Sequence, residues 1–290
     1  MRALVLGLAL ILPAPAMAQT SAPAADPAEV VAAERAFAAD GWANGITASF
    51  TRWSQPDAVV IAGGQARTVR EVYPPDVPKP ADEPTLAWWP TFAGIARSGD
   101  LGFTTGGVEV NGRRAGHYFT VWKRQPDGRW LWVYDGGTPA TAEGQPGPDS
   151  EPRVLREVAP PIASNDLPME EVLLTERAMA VGAHYDQKAV HLAVLAEDAR
   201  LYVGARPPAE GREAFEAALA DWPATFEFGT TEGADVSEAG DLVWTYGPAS
   251  WTAADGAARN GHYVRVWRKA AMTWELVLAQ LIVAPPPAAP

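Results

Sequence analysis

The chain has 290 residues, with 35 Asp and Glu against 23 Lys and Arg, a formal charge of −12, and no cysteine. The acidic balance argues against a nucleic-acid partner and against an anionic membrane surface, since both reward clustered positive charge. The missing thiols exclude disulfides, thiolate metal sites, iron–sulfur clusters and cysteine nucleophiles. An apolar content of 48% suits a packed core rather than a disordered chain.

Residues 1–18 read as a secretory leader. Arg2 supplies the positive start, residues 3–12 an apolar run, and Ala16-Met17-Ala18 a small-x-small cleavage pattern. The run is too short to span a bilayer and meets Pro13 and Pro15 early. A periplasmic or secreted protein is expected, with no membrane partner once the leader is gone. Loss of Arg2 leaves 22 basic and 35 acidic residues, so the mature charge would be −13.

The remainder repeats itself. Glu34-Arg35-Ala36-Phe37-Ala38 returns as Glu176-Arg177-Ala178-Met179-Ala180. Asp57 and Gly63 return as Asp198 and Gly204, and Asp100-Leu101 with Thr104 and Gly106 as Asp241-Leu242 with Thr245 and Gly247. Gly116-His117-Tyr118 with Val121-Trp122 returns as Gly261-His262-Tyr263 with Val266-Trp267, and Trp130 as Trp274. These blocks keep their order at offsets of 141–145. Trp89-Pro90 matches Trp222-Pro223 at only 133, which assigns eight extra residues to the Pro-rich stretch 73–84 of the first copy. The repeat predicts two homologous domains, 28–138 and 168–284, joined by a Pro/Gly-rich linker, 139–167.

Each copy opens as helix. Asp26-Pro27-Ala28-Glu29 offers an N-cap, a proline in the first turn and an acidic residue behind it, and Val30, Ala33 and Phe37 follow at helical spacing. Further helix is expected near 46–53 and 185–195. Strands are expected at 58–61, 101–105, 117–124 and 130–134, and at 199–203, 242–246, 262–269 and 274–279. Gln125-Pro126-Asp127-Gly128 supplies a hairpin turn. Helices first and strands later is an α+β pattern. Along 117–122, Tyr118, Thr120 and Trp122 share one face, while His117, Phe119 and Val121 share the other. Both faces are largely apolar, so one is expected to cover the helices and the other to meet a second sheet. The two copies are therefore expected to pack as an intramolecular pseudo-dimer, with Phe119, Val121, Val264 and Val266 at the seam.

The Glu-Arg-x-Phe helix, the strand ending in glycine, Ser-Gly-Asp-Leu-Gly-Phe-Thr-Thr-Gly (98–106) and Gly-His-Tyr-Phe-Thr-Val-Trp (116–122) together resemble the SnoaL-like superfamily. That fold is shared with ketosteroid isomerase and nuclear transport factor 2, and the likeness is to exported bacterial members of unknown function. The second copy departs at Ala-Gly-Asp-Leu-Val (239–243). The resemblance implies two tandem cone-shaped α+β domains, each with N-terminal helices packed on a curved, mostly antiparallel sheet around an apolar pocket. Some members isomerise, cyclise or dehydrate small molecules, and others only bind. Fold alone does not decide between these, and no catalytic residue carries over by motif.

The candidate pocket residues are Trp89, His117, Tyr118 and Asp135 in the first copy, and His191, Trp222, His262 and Tyr263 in the second. His117 and His262 titrate near neutrality and suit acid–base work, or else serve packing at a domain interface. Asp135 follows Trp130-Leu131-Trp132-Val133-Tyr134, an apolar wall that would raise its proton affinity. Its other reading is a turn residue capping Gly136-Gly137. The second copy has Ala279 there. His191 aligns with Phe50. His184 and His191 are seven apart, not the spacing of a helical zinc pair, so no metal site is expected. Trp42, Trp53 and Trp88 join Trp89 as aromatic pocket or core residues.

Dinucleotide, Walker, zincin and Gly-x-Ser-x-Gly motifs do not occur in the sequence, and no cofactor is expected. Two readings stay open: an exported protein binding a small apolar ligand or a protein partner, and a cofactor-free isomerase, cyclase or dehydratase working in one apolar pocket.

Overall fold

The computed structural model describes residues 25–75, 77–141, 144–155 and 167–286. The leader at 1–18 lies outside the described residues. Among the described residues no helix is long and apolar enough to cross a membrane.

The first unit opens with α1 (Ala28–Asn44), whose first amide, that of Ala28, donates to Asp26 Oδ1 at 2.9 Å. Gly45 ends it at φ +93°, a conformation that suits glycine, and the chain enters α2 (Ile46–Trp53) at once. Strands β1 (Ser54–Ala62) and β2 (Gln65–Thr68) form a hairpin, followed by the short helix α3 (Val69–Val72). Then come β3 (Leu86–Ile95), β4 (Leu101–Val110), β5 (Arg113–Arg124) and β6 (Trp130–Pro139). The stretch read as a plain linker adds β7 (Arg153–Val154), paired parallel to Phe92 and Ala93 of β3. The sheet order is β2-β1-β6-β5-β4-β3-β7.

The second unit repeats this plan with α4 (Pro168–Val194), β8 (Leu195–Tyr202), α5 (Arg212–Ala220), β9 (Glu227–Phe228), β10 (Gly233–Val236), β11 (Leu242–Thr252), β12 (Ala258–Ala270) and β13 (Thr273–Val283). Its order is β10-β11-β12-β13-β8, with β9 on β11. In α4 the helix breaks at Asp186 (φ −154°, ψ 90°), 141 residues after Gly45. The pairs β1·β6 and β8·β13 are parallel and the long central pairs antiparallel. Each unit is thus α+β, with helices on a mostly antiparallel sheet.

The Trp-Pro match is a false landmark. Trp89 and Pro90 lie inside β3, whereas Trp222 and Pro223 lie between α5 and β9. Register gives the true counterparts. Trp88 pairs with Val108, and Phe228 with Ala249, 140 and 141 residues later; Ala93 pairs with Thr104, and Ala234 with Thr245, both 141 later. The offset therefore stays near 141, and no eight-residue insertion exists. Proline punctuates many kinds of break, here a register shift in β3 and the end of α5, so Trp-Pro does not mark one position in the fold.

The pleat of β5 separates two environments, as alternation requires. Tyr118 and Trp122 join the aromatic core beneath α1 and α2. Phe119 and Val121, on the other face, lie in one buried cluster with Val264 and Val266 of β12. Across that contact the Tyr134 ring sits 5.4 Å from Trp244 and 5.3 Å from Tyr246. At its rim the Arg97 amide donates to Asp241 Oδ2 (3.1 Å) and the Glu238 amide to Asp100 Oδ2 (3.0 Å). Both donors and both acceptors are 141 residues apart, so the two bonds are one bond made twice.

Candidate functional site

A cavity of about 390 Å³ opens in the first unit, between the helices and its sheet. Its apolar wall is Phe50 from α2, Tyr73 after α3, Leu86 and Trp88 from β3, and Val108 from β4. Tyr118 and Asp135 complete it, with residues 115–117 and 136–139. Phe50 and Tyr73 pack at 4.6 Å between ring centres. Gly137 is required in this lining, because a Cβ there would lie 2.6 Å from the His117 carbonyl oxygen.

Asp135 sits within β6, opposite Thr120 of β5, rather than in a turn. Its Oδ2 accepts the Thr120 hydroxyl at 2.9 Å. Desolvation raises its pKa to about 8; the Thr120 hydrogen bond opposes that rise, and the Glu34 charge adds a smaller upward push. Tyr118 is buried, and its hydroxyl has no hydrogen-bond partner in the protein. Burial holds its proton, as it does that of Tyr73. The wall thus carries a carboxyl that keeps its proton near neutrality, beside phenols that keep theirs well above it.

Beneath the cavity lies a residue that the candidates omitted. Glu34 on α1 is fully buried and accepts Trp88 Nε1–H (2.5 Å), Trp122 Nε1–H (3.0 Å) and the Thr104 hydroxyl. Burial raises its pKa to about 7 against those three donors. The signal was present: Val30, Glu34 and Phe37 share one helical face, and Glu34 recurs as Glu176.

The other first-copy candidates fall elsewhere. Trp88 lines the cavity and Trp89 does not; Trp89 carries the Arg114 guanidinium 5.2 Å above its ring and donates to the Pro146 carbonyl. His117 is among the cavity's lining residues, and its ring packs on Tyr202 of the second unit at 5.1 Å. Burial and Arg114 push its pKa down to about 4, so it stays neutral. The Tyr202 contact is the packing that the interface reading of His117 expects. Trp42 is exposed and Trp53 packs in the core.

The second unit has filled the equivalent space. His191 packs against Trp222 (5.4 Å) and Phe228 (6.0 Å), Phe226 stacks on Phe228 (5.3 Å), and Phe228 meets Tyr263 (5.4 Å). Burial and Arg265 lower the His191 pKa to about 3. Arg265, at the place of Thr120, pairs with Glu176 and lies 4.3 Å over the rings of Phe228 and Tyr263. A cavity of about 930 Å³ does open beside this unit, shared with residues 63–65 of the first, but its lining ends at Phe228 and His262 and includes neither Tyr263 nor Ala279. His262 is tied there to the Gly64 carbonyl and to Glu232. The structure therefore brings together Tyr118 and Asp135 in one cavity, and His191, Trp222 and Tyr263 in one packed cluster. His184 is exposed beside Glu227, and among the described residues no group of three His, Asp or Glu is placed to hold a metal.

No family model matches the sequence, and no curated protein matches it. Solved structures do resemble it. A conserved protein from Planctomyces limnophilus is 20% identical, with 39% of this chain and 97% of that one covered at a TM-score of 0.32. A nuclear-transport-factor-2-like protein with a cystatin-like fold from Novosphingobium aromaticivorans is 15% identical, covering 43% and 95% at 0.33. A nuclear-transport-factor-2-like protein of unknown function from Shewanella oneidensis is 10% identical, covering 40% and 99% at 0.34.

Proposed function

We propose that the first unit binds one small, largely apolar molecule and that the second unit is its structural partner in an intramolecular pair. The observation that supports this is the contrast between the copies. The first keeps an aromatic-walled cavity around one protonated carboxyl, and the second fills that place with Phe226, Phe228 and Trp222. Pockets of this kind gain affinity from apolar burial and orientation from a few polar groups. A protonated Asp135 donates a hydrogen bond, which suits a carbonyl or similar acceptor on the ligand. The Arg2 and Ala16-Met17-Ala18 pattern supports an exported protein. The test uses 2-naphthol, a flat apolar probe with one oxygen. Full-length protein should bind it one to one, and Val108→Trp, which fills the cavity, should abolish binding. Equal binding in that variant rejects the site.

A second reading is favoured by Asp135 itself. A carboxyl with a pKa of about 8 in an apolar wall has the proton affinity that general acid–base chemistry at a carbon next to a carbonyl requires. Exchange of the acidic C–H protons of 2-tetralone with D2O, lost in Asp135→Asn, would establish turnover. Exchange unaffected by that substitution leaves binding as the function.

A further inference from the structure

On the face of the first sheet turned away from Trp88 and Tyr118, Trp89 of β3, Gly107 of β4 and His117 of β5 stand in one row. A bulge brings Arg114 to them. Val108 pairs with Gly116 and Glu109 with Arg114, so Ala115 is passed over and the arginine turns to the side of His117. Its guanidinium lies 5.2 Å from the Trp89 ring centre and across Gly107, where a Cβ would stand 2.7 Å from Arg114 Cζ.

Arg114 Nε and Nη2, one whole edge of the guanidinium, are buried and meet no hydrogen-bond partner among the described residues. The same holds for both ring nitrogens of His117, a residue 2% exposed. The Gly106 and Arg206 carbonyls lie near that ring, outside hydrogen-bond geometry. Glu109 bears on Arg114 through its charge alone. Buried donors are paired in folded proteins, and the Nε–Nη2 edge is a fork that grips both oxygens of a carboxylate.

The second unit answers the same two residues with acids of its own. His262, the counterpart of His117, has Nε2 3.3 Å from Glu232 Oε2. Arg259, the counterpart of Arg114, pairs with Asp255 at 3.1 Å. The first unit carries neither acid. Thr91 stands where Glu232 does, since Phe92 meets Thr105 as Gly233 meets Tyr246. The turn Asn111-Gly112 replaces the longer turn 253–257 that holds Asp255.

We propose that the free edge of Arg114 and the ring of His117 form a seat for the carboxylate of a small free acid, separate from the apolar cavity, where the ligand supplies the charge that Glu232 supplies to His262. The occupant is a monocarboxylate. One fork beside a neutral imidazole matches one negative charge, and Arg206 is already paired with Asp221 at 2.6 Å. A phosphate would bring a second charge with no second cation to meet it. The Trp89 ring under the guanidinium holds the fork flat and leaves its edge to the ligand.

The test follows His117 by NMR in full-length protein labelled at its four histidines, with acetate as the probe. Acetate should bind saturably and raise the His117 midpoint from about 4, by roughly one unit, because a carboxylate favours the imidazolium. His191 and His262 should not move. Acetamide, the neutral isostere, and chloride should have no effect. Arg114→Gln and Arg114→Lys should each weaken acetate about tenfold or more, the lysine because a point charge does not replace the fork. Both variants should bind 2-naphthol as the wild type does. An equal response to acetamide, or acetate bound as well by Arg114→Gln, overturns the proposal and leaves the cavity reading standing. Acetate displaced by 2-naphthol also overturns it, since the acid then sits in the cavity. Where the Arg114 variants do not fold, the wild-type titration decides: a His117 midpoint that acetate does not move rejects the seat.

Discussion

Asp135 stands opposite Thr120 in the first sheet as Ala279 stands opposite Arg265 in the second. One position on β6 and β13, and one on β5 and β12, have been exchanged together. The first copy has gained an acid facing a cavity. The second has gained a cation that neutralises the glutamate beneath it. Each unit resolves the burial of a carboxylate differently, by protonation in one and by pairing in the other.

That difference makes stability depend on pH. Burial raises Glu34 to about 7 from 4.5 and Asp135 to about 8 from 3.8. The folded chain then holds protons that the unfolded chain has released, so stability falls as pH rises towards 7–8. His117 and His191, lowered from 6.5 to about 4 and about 3, act with the opposite sign below 6.5. The two effects offset each other between about 4.5 and 6.5, and above 6.5 the carboxyls act alone. Urea unfolding should show a loss on the order of 2 kcal/mol between pH 6.5 and 8. Asp135→Asn should remove most of that slope, and a variant with the wild-type slope would contradict the assignment.

The Glu176–Arg265 pair should behave as one unit. Both side chains are almost fully buried, and removing one partner of such a pair costs about 3–5 kcal/mol because the other is left uncompensated. Arg265→Thr, which installs the residue that the first copy carries, should lose that much by chemical denaturation. Adding Glu176→Gln should restore part of it. A double variant no more stable than the single one would show that the pair is not coupled.

Phe226 closes the second unit. It is 1% exposed and packs on Trp222, Phe228 and Trp251 at 5.2–5.4 Å. Phe226→Ala should destabilise by about 3–5 kcal/mol. It should also create a second 2-naphthol site, seen as stoichiometry rising from one towards two. Unchanged stability would mean that the cluster has room to collapse.

The duplication and the α+β order were legible because they rest on periodicity and on blocks such as Gly-His-Tyr that kept their spacing. The site was half legible. Asp135 and Tyr118 announced themselves by an acid after an aromatic run and a phenol on the helix-facing side of β5. Glu34 was hidden in plain view, since a glutamate on a first helix reads as solvated until Trp88, Trp122 and Thr104 are seen to converge on it. The Trp-Pro match singles out Trp89, but neighbours in a strand point oppositely, and the register of β3, shifted between Pro90 and Phe92, cannot be counted from sequence. His117 and His262 looked alike in sequence, yet one ring packs dry on Tyr202 while the other finds Gly64 and Glu232. Such differences belong to the partner surface, which a single strand does not encode.

The apolar contact between the units should hold them as one cooperative body. Val121 and Val264 are 1% and 0% exposed within a cluster that draws on both sheets. A glutamate at either place would lie in surroundings that cannot solvate it, at a cost of several kcal/mol. The covalent connection keeps the facing surfaces at an effective concentration of about millimolar, so a single defect shifts the equilibrium without abolishing contact. Val121→Glu together with Val264→Glu should therefore do what neither does alone. The single thermal transition should split into two, or the exposed faces should drive aggregation. Val181→Glu, on the exposed side of α4, should leave the transition unchanged and serves as the control. A double variant that melts once, at the wild-type temperature, would show that the cluster does not join the units.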